Sequence, residues 1–177
     1  MYYAIKLTNI FKYIKFHINN NFLKMSKKLV AYFSASGSTQ TVAKKIASLL
    51  NCDLYEIKPK TKYTSKELNY NDPNSRTSLE CKDRNFRTEL ADKDANIAKY
   101  DTILVGFPVW WYVAPNLILT FLESYDFTGK KVIIWGTSME SHMGETMTEI
   151  RKVCKGATII EGTIFDASHR KNLTTKN

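Results

Sequence analysis

The chain of 177 residues holds three cysteines, four prolines and seven glycines, and each scarcity excludes something. Cys52, Cys81 and Cys154 lie far apart, with no C-x-x-C and no histidine paired to any of them. That spacing argues against a zinc site or other bound metal and against a disulfide scaffold, and it suits a reducing, cytoplasmic setting. Each thiol reads as buried and inert rather than reactive. No apolar run is long enough to cross a bilayer. No G-x-G-x-x-G is present, so a nicotinamide dinucleotide would visit only transiently. No basic run carries interleaved aromatics, so nucleic acid is not an expected partner, and the formal charge of +9 reads as solvated surface. Residues 1–25 contain Lys6, Lys12, Lys15 and Lys24 but no acid, glycine or proline.

What is present is the composition of one ordinary globular domain, 44% apolar and 24% charged. Short apolar runs alternate with segments of helical period. Strands are expected at Leu29–Phe33, Asp53–Ile57, Thr102–Phe107, Lys131–Gly136 and Thr158–Phe165. Helices are expected over Thr41–Leu50, about Asp92–Lys99, from Pro115 through Tyr125, and around Met147–Val153. Residues 58–92 read as a long polar loop, of the kind that is functional or mobile. Strands alternating with helices predict an α/β fold with a parallel sheet and right-handed crossovers.

Three of the strand-to-helix turns carry the chemistry. Ser34-Ala35-Ser36-Gly37-Ser38-Thr39 follows the first strand and opens the first helix. A helix start offers unpaired N–H groups and a partial positive charge, Gly37 lets the backbone bend, and the hydroxyls add donors. With no lysine, this cradle suits one phosphate rather than a triphosphate with metal. The competing reading is ordinary loop and cap material. Phe107-Pro108-Val109-Trp110-Trp111-Tyr112 follows the third strand. In a sheet ordered 2-1-3-4-5 the switch point lies between strands 1 and 3, so cradle and aromatics become neighbours. The aromatics would stack a planar ligand, or else roof the core or line a protein contact. Thr137-Ser138-Met139-Glu140-Ser141-His142-Met143-Gly144 follows the fourth strand and closes the far side. His142 reads as a surface histidine rather than a proton donor.

These pieces in this order resemble flavodoxin, in a branch found in many bacterial genomes. The matching segments are Tyr32–Thr39, Gly106–Pro115, Phe121–Lys130, Gly136–Ser138 and the insert Asn71–Arg76. The resemblance covers residues 26–165. It implies a flavodoxin-like three-layer sandwich with a five-stranded parallel sheet of order 2-1-3-4-5. It also implies non-covalent FMN. Ser34, Ser36, Gly37, Ser38 and Thr39 would hold the phosphate. Pro108, Val109, Trp110, Trp111 and Tyr112 would flank the isoalloxazine. Thr137, Ser138, Met139 and Gly144 would lie along its far edge. The implied role is a redox protein passing electrons between a reductase and an acceptor. The alternatives are an FMN-dependent NAD(P)H:quinone or nitro-compound reductase, and a binding module without flavin.

Two departures stand out. The third loop, usually glycine-rich in this branch, carries Met139, Glu140 and His142. The segment 166–177 is short and polar where the family has a helix. The apolar stripe Tyr3, Leu7, Ile10, Phe11 and Ile14 is expected to cover the sheet face left bare, if residues 1–25 dock. The other readings of residues 1–25 are a leader preceding a start at Met25, which is favoured, and an amphipathic helix on a membrane.

Overall fold

The computed structural model describes residues 26–167. Five strands form one parallel sheet of order β2-β1-β3-β4-β5, as the resemblance implied. The strands are β1 Lys28–Tyr32, β2 Asp53–Glu56, β3 Thr102–Pro108, β4 Lys131–Ser138 and β5 Thr158–Asp166. Four helices connect them: α1 Ser38–Leu50, α2 Arg76–Lys82, α3 Asn116–Glu123 and α4 Thr146–Val153. The two-residue period of the strands divides the core. On one face Leu29, Ala31, Ile103, Val105, Val132 and Ile134 meet α3 and α4 through Leu117, Ile118, Phe121, Met147 and Ile150. On the other, Val30, Tyr32, Leu104, Ile133 and Trp135 meet Val42, Ala43, Ile46 and Ala47 of α1. Gly106 is required here because any Cβ would fall inside the Trp135 indole.

All five strands point the same way, so the turns after β1, β3 and β4 emerge on one edge. The middle strand of this trio is β3, paired to both of the others. The sheet therefore brings together the three turns that the sequence singled out.

Two elements correct the sequence reading. The polar loop of residues 58–92 contains a helix, α2, capped by Ser75, whose side chain accepts from the Ser78 N–H. The residues it buries are Thr77, Ser78 and Glu80, while Leu79 is exposed. An inward face made of polar groups has no apolar period to detect. The helix expected over Asp92–Lys99 is only a 3₁₀ turn, Ile97–Lys99. The insert is also tied down. Its two ends pair through Lys60 N–H to Glu89 O at 2.8 Å and Ala91 N–H to Lys58 O at 2.8 Å. Arg84 grips Glu149 of α4 at 2.6 and 2.8 Å, and Arg87 grips Glu123 of α3 at 2.7 and 2.9 Å. The stripe of residues 3–14 and most of the tail of residues 166–177 lie outside the described residues.

Candidate functional site

Helix α1 starts earlier than its apolar period suggests, so Ser38 and Thr39 form its first turn and Gly37 is its cap. Gly37 sits at φ 89°, in the left-handed region, with nothing within 4 Å of where a Cβ would stand. Glycine is therefore set here by backbone conformation, and the space beside it is open. The Gly37 N–H donates to Ser34 Oγ at 3.1 Å, so Ser34 shapes the loop. The N–H groups of the first turn have no acceptor within the helix. Ser36 is exposed, whereas Ser38 and Thr39 are buried. The Ser38 hydroxyl is buried and makes no hydrogen bond. A buried hydroxyl without a partner costs about 1–3 kcal/mol, which an incoming acceptor would recover. Gln40 Nε2 donates to the Tyr32 hydroxyl at 3.1 Å beneath this turn. Burial raises the Tyr32 pKa above the usual phenol value, outweighing the opposing effect of that hydrogen bond.

The turn after β3 is a tight hairpin. Trp110 N–H donates to Val113 O at 3.1 Å, and Val113 N–H donates back to Trp110 O at 3.0 Å. Between them Trp111 and Tyr112 have φ 46° and φ 64°. Two successive positive φ values make a type I′ turn, a position that favours Asn and Gly. Bulky aromatics there cost about 1 kcal/mol each, and strain of this kind collects at functional sites. Both residues are exposed, at 41% and 48%. Trp110 is half-buried. Its ring meets Phe33 edge-on at 5.7 Å and Tyr63 edge-on at 5.5 Å. Pro108 ends β3 beside Thr137. Val109 is buried, with its Cγ2 only 2.8 Å from where a Gly136 Cβ would stand.

Tyr63 comes from the insert, which thus reaches the site. Its hydroxyl donates to Glu80 at 2.5 Å, and Glu80 also accepts from Arg76 Nε at 2.7 Å and Thr88 Oγ1 at 3.1 Å. The Arg76 guanidinium lies over the Tyr63 ring, 4.1 Å from its centre. Burial, reinforced by the bond to Glu80, raises the Tyr63 pKa well above the phenol range. The insert is a buttress that fixes Trp110 from behind.

The turn after β4 closes on the other two. Thr137 Oγ1 lies 2.8 Å from Thr39 Oγ1. The Thr137 carbonyl accepts from Val109 N–H at 2.9 Å, and the Ser138 carbonyl from Ala167 N–H at 2.7 Å. Met139 is 65% exposed. His142 packs its ring 4.8 Å from that of Tyr112, and its Nδ1 accepts from the Gly144 N–H at 3.3 Å. Gly144 sits at φ 48° directly against the Tyr112 backbone, where any Cβ would clash. Its glycine is thus demanded by contact between two turns.

The edge therefore gathers Ser34, Gly37, Ser38, Thr39, Trp111, Tyr112, Thr137 and Gly144, while Val109 belongs to the core. Sequence reasoning missed Tyr63, Phe33 and the Tyr112–His142 contact. Tyr63 is one of three aromatics in the polar insert, with Tyr70 and Phe86, and nothing in their spacing singles it out.

A model of the flavodoxin family matches residues 27–177. No curated protein matches the chain. Among solved structures, a Bacteroides uniformis protein described as a flavoprotein is 41% identical, over 83% of this chain and 94% of its own, with a TM-score of 0.76. A Bacteroides eggerthii protein described in the same way is 38% identical, over 84% of this chain and 93% of its own, with a TM-score of 0.76. A Lactobacillus acidophilus flavoprotein in complex with FMN is 22% identical, over 85% of this chain and 99% of its own, with a TM-score of 0.62. It shares the fold.

Proposed function

The chain belongs to the flavodoxin family, and we propose that it binds FMN and carries electrons between a reductase and an acceptor. The observation that carries this reading is the buried, unpartnered Ser38 hydroxyl in the first turn of α1, on the same sheet edge as a strained aromatic turn. The first supplies what a phosphate needs: donors, a positive helix end and open space at Gly37. The second offers flat apolar surface, Trp111 and Tyr112, whose exposure has no use in a lone monomer. Two relatives described as flavoproteins, at 41% and 38% identity, support a flavin as the ligand.

FMN would supply the one- and two-electron chemistry, and the protein sets where and how easily it runs. The first-turn N–H groups and Ser38 would hold the phosphate. Trp111 and Tyr112 would cover the ring, and Trp110, locked between Phe33 and Tyr63, would keep water from behind it. The surroundings are aromatic and weakly polar, which disfavours added negative charge on the ring. The two-electron potential of the bound flavin is therefore expected below that of free FMN. A redox titration checks this, and a couple at or above the free value contradicts it. Among the described residues no helix is long and apolar enough to cross a membrane. A cytoplasmic carrier fits that and the unpaired cysteines. Steady-state turnover of NADH or NADPH with a quinone would instead identify a reductase.

A further inference from the structure

Thr39 and Thr137 lie 98 positions apart in sequence, yet their hydroxyl oxygens meet at 2.8 Å, both buried. Each hydroxyl carries one proton and accepts through two lone pairs. One of the two protons fills the gap between them. The other has no acceptor among the described residues, and neither has that of Ser38 in the same helical turn. The first turn of α1 thus has hydroxyl protons to spare at its positive end.

The direction of the Thr39–Thr137 bond is open until something settles it. An anion accepts and cannot donate. A phosphate at the helix end would draw the Thr39 proton, leaving Thr137 to donate to Thr39 Oγ1. The two bonds would then polarise one another. Thr137 is well placed to hold that role, because its backbone is fixed in β4 by pairing with Pro108 and by accepting from the Val109 N–H.

We propose that Thr137 is a positioning residue of the phosphate site: by donating to Thr39 Oγ1 it turns the Thr39 hydroxyl proton onto the phosphate of FMN. The proposal rests on the flavin reading above. It moves Thr137 from the ring edge, where resemblance put it, to the phosphate. It also makes the β4 turn a support for the β1 turn, so that two loops share one anion.

The test separates phosphate from ring. Thr137→Val keeps the shape and removes the hydroxyl; Thr137→Ser keeps the hydroxyl. Affinities for FMN and for riboflavin, which lacks the phosphate, are measured by quenching of flavin fluorescence on the full chain. Stabilisation by inorganic phosphate is measured as a rise in Tm. Thr137→Val is expected to weaken FMN by roughly three- to tenfold, to leave riboflavin within about twofold, and to raise by a similar factor the phosphate concentration needed for a given rise in Tm. Thr137→Ser is expected to restore both the FMN affinity and the response to phosphate. Equal weakening of FMN and riboflavin, no weakening of either, or failure of Thr137→Ser to restore FMN overturns the proposal. Should Thr137→Val not fold, Thr39→Val must show the same split between FMN and riboflavin, and a uniform loss overturns it. If the unsubstituted protein binds neither flavin, the redox reading fails on its own. The phosphate arm then decides Thr137, and no Tm response of the unsubstituted protein to phosphate overturns the proposal.

Discussion

Replacing Trp111 by Asn and Tyr112 by Gly would give the β3 turn the pair that a type I′ geometry favours. Two opposing terms set the outcome for the apoprotein. Relief of two positive-φ aromatics returns about 1 kcal/mol at each position. Against this, Trp111 and Tyr112 are 41% and 48% exposed, so each loses only part of its burial. That loss is about 1 kcal/mol apiece, with about 0.5–1 kcal/mol more for the backbone freedom of glycine. The terms nearly cancel, and the stability of the apoprotein should change by no more than about 1 kcal/mol. FMN affinity should respond very differently. Removing two rings that stack on a flat ligand costs about 3 kcal/mol, or roughly a hundredfold in Kd. Urea unfolding followed by far-ultraviolet circular dichroism gives the first quantity, and flavin fluorescence titration the second. A stability loss above about 3 kcal/mol with unchanged FMN affinity would refute the reasoning. It would mean that the aromatic turn pins the fold and does not serve a ligand.

Glu80→Ala removes the acceptor shared by Tyr63, Arg76 and Thr88, leaving Arg76 with the Thr61 carbonyl and a longer contact to Glu67. It is expected to cost about 3 kcal/mol and to open the insert to limited proteolysis, and unchanged Tm and cleavage would contradict the buttress. Burial pushes the thiols of Cys52, Cys81 and Cys154 up to about 11, so thiolates are scarce at neutral pH in the folded state. A raised folded pKa gives stability that is present below the unfolded value near 9 and lost as pH rises toward about 11. Tm should therefore fall across that window and less so in a variant with all three cysteines replaced by alanine; equal slopes would count against it.

The sheet was legible because β1, β3 and β4 are buried on both faces and read as unbroken apolar runs. The meeting of the three turns followed from the sheet, since parallel neighbours must release their turns on one edge. Helix α2 was not legible, because Thr77, Ser78 and Glu80 make its buried side and are satisfied by polar groups of the same insert, such as the Glu67 and Asp72 carbonyls, so no apolar period marks it. Roles within the third turn were equally hidden. Nothing in Gly136-Thr137-Ser138 announces that Thr137 meets Thr39. Nothing local shows that Gly144 is demanded by the backbone of Tyr112. Such constraints arise between loops, and sequence spacing records only what happens within one.

The central claim is a single pocket that holds a phosphate at the start of α1 and a flat ring at the β3 turn. Its most direct test is the absorbance spectrum of the purified protein after incubation with FMN and gel filtration. The account predicts a yellow protein with one flavin per chain, quenched in fluorescence and bleached by dithionite. A protein that leaves the column colourless contradicts it.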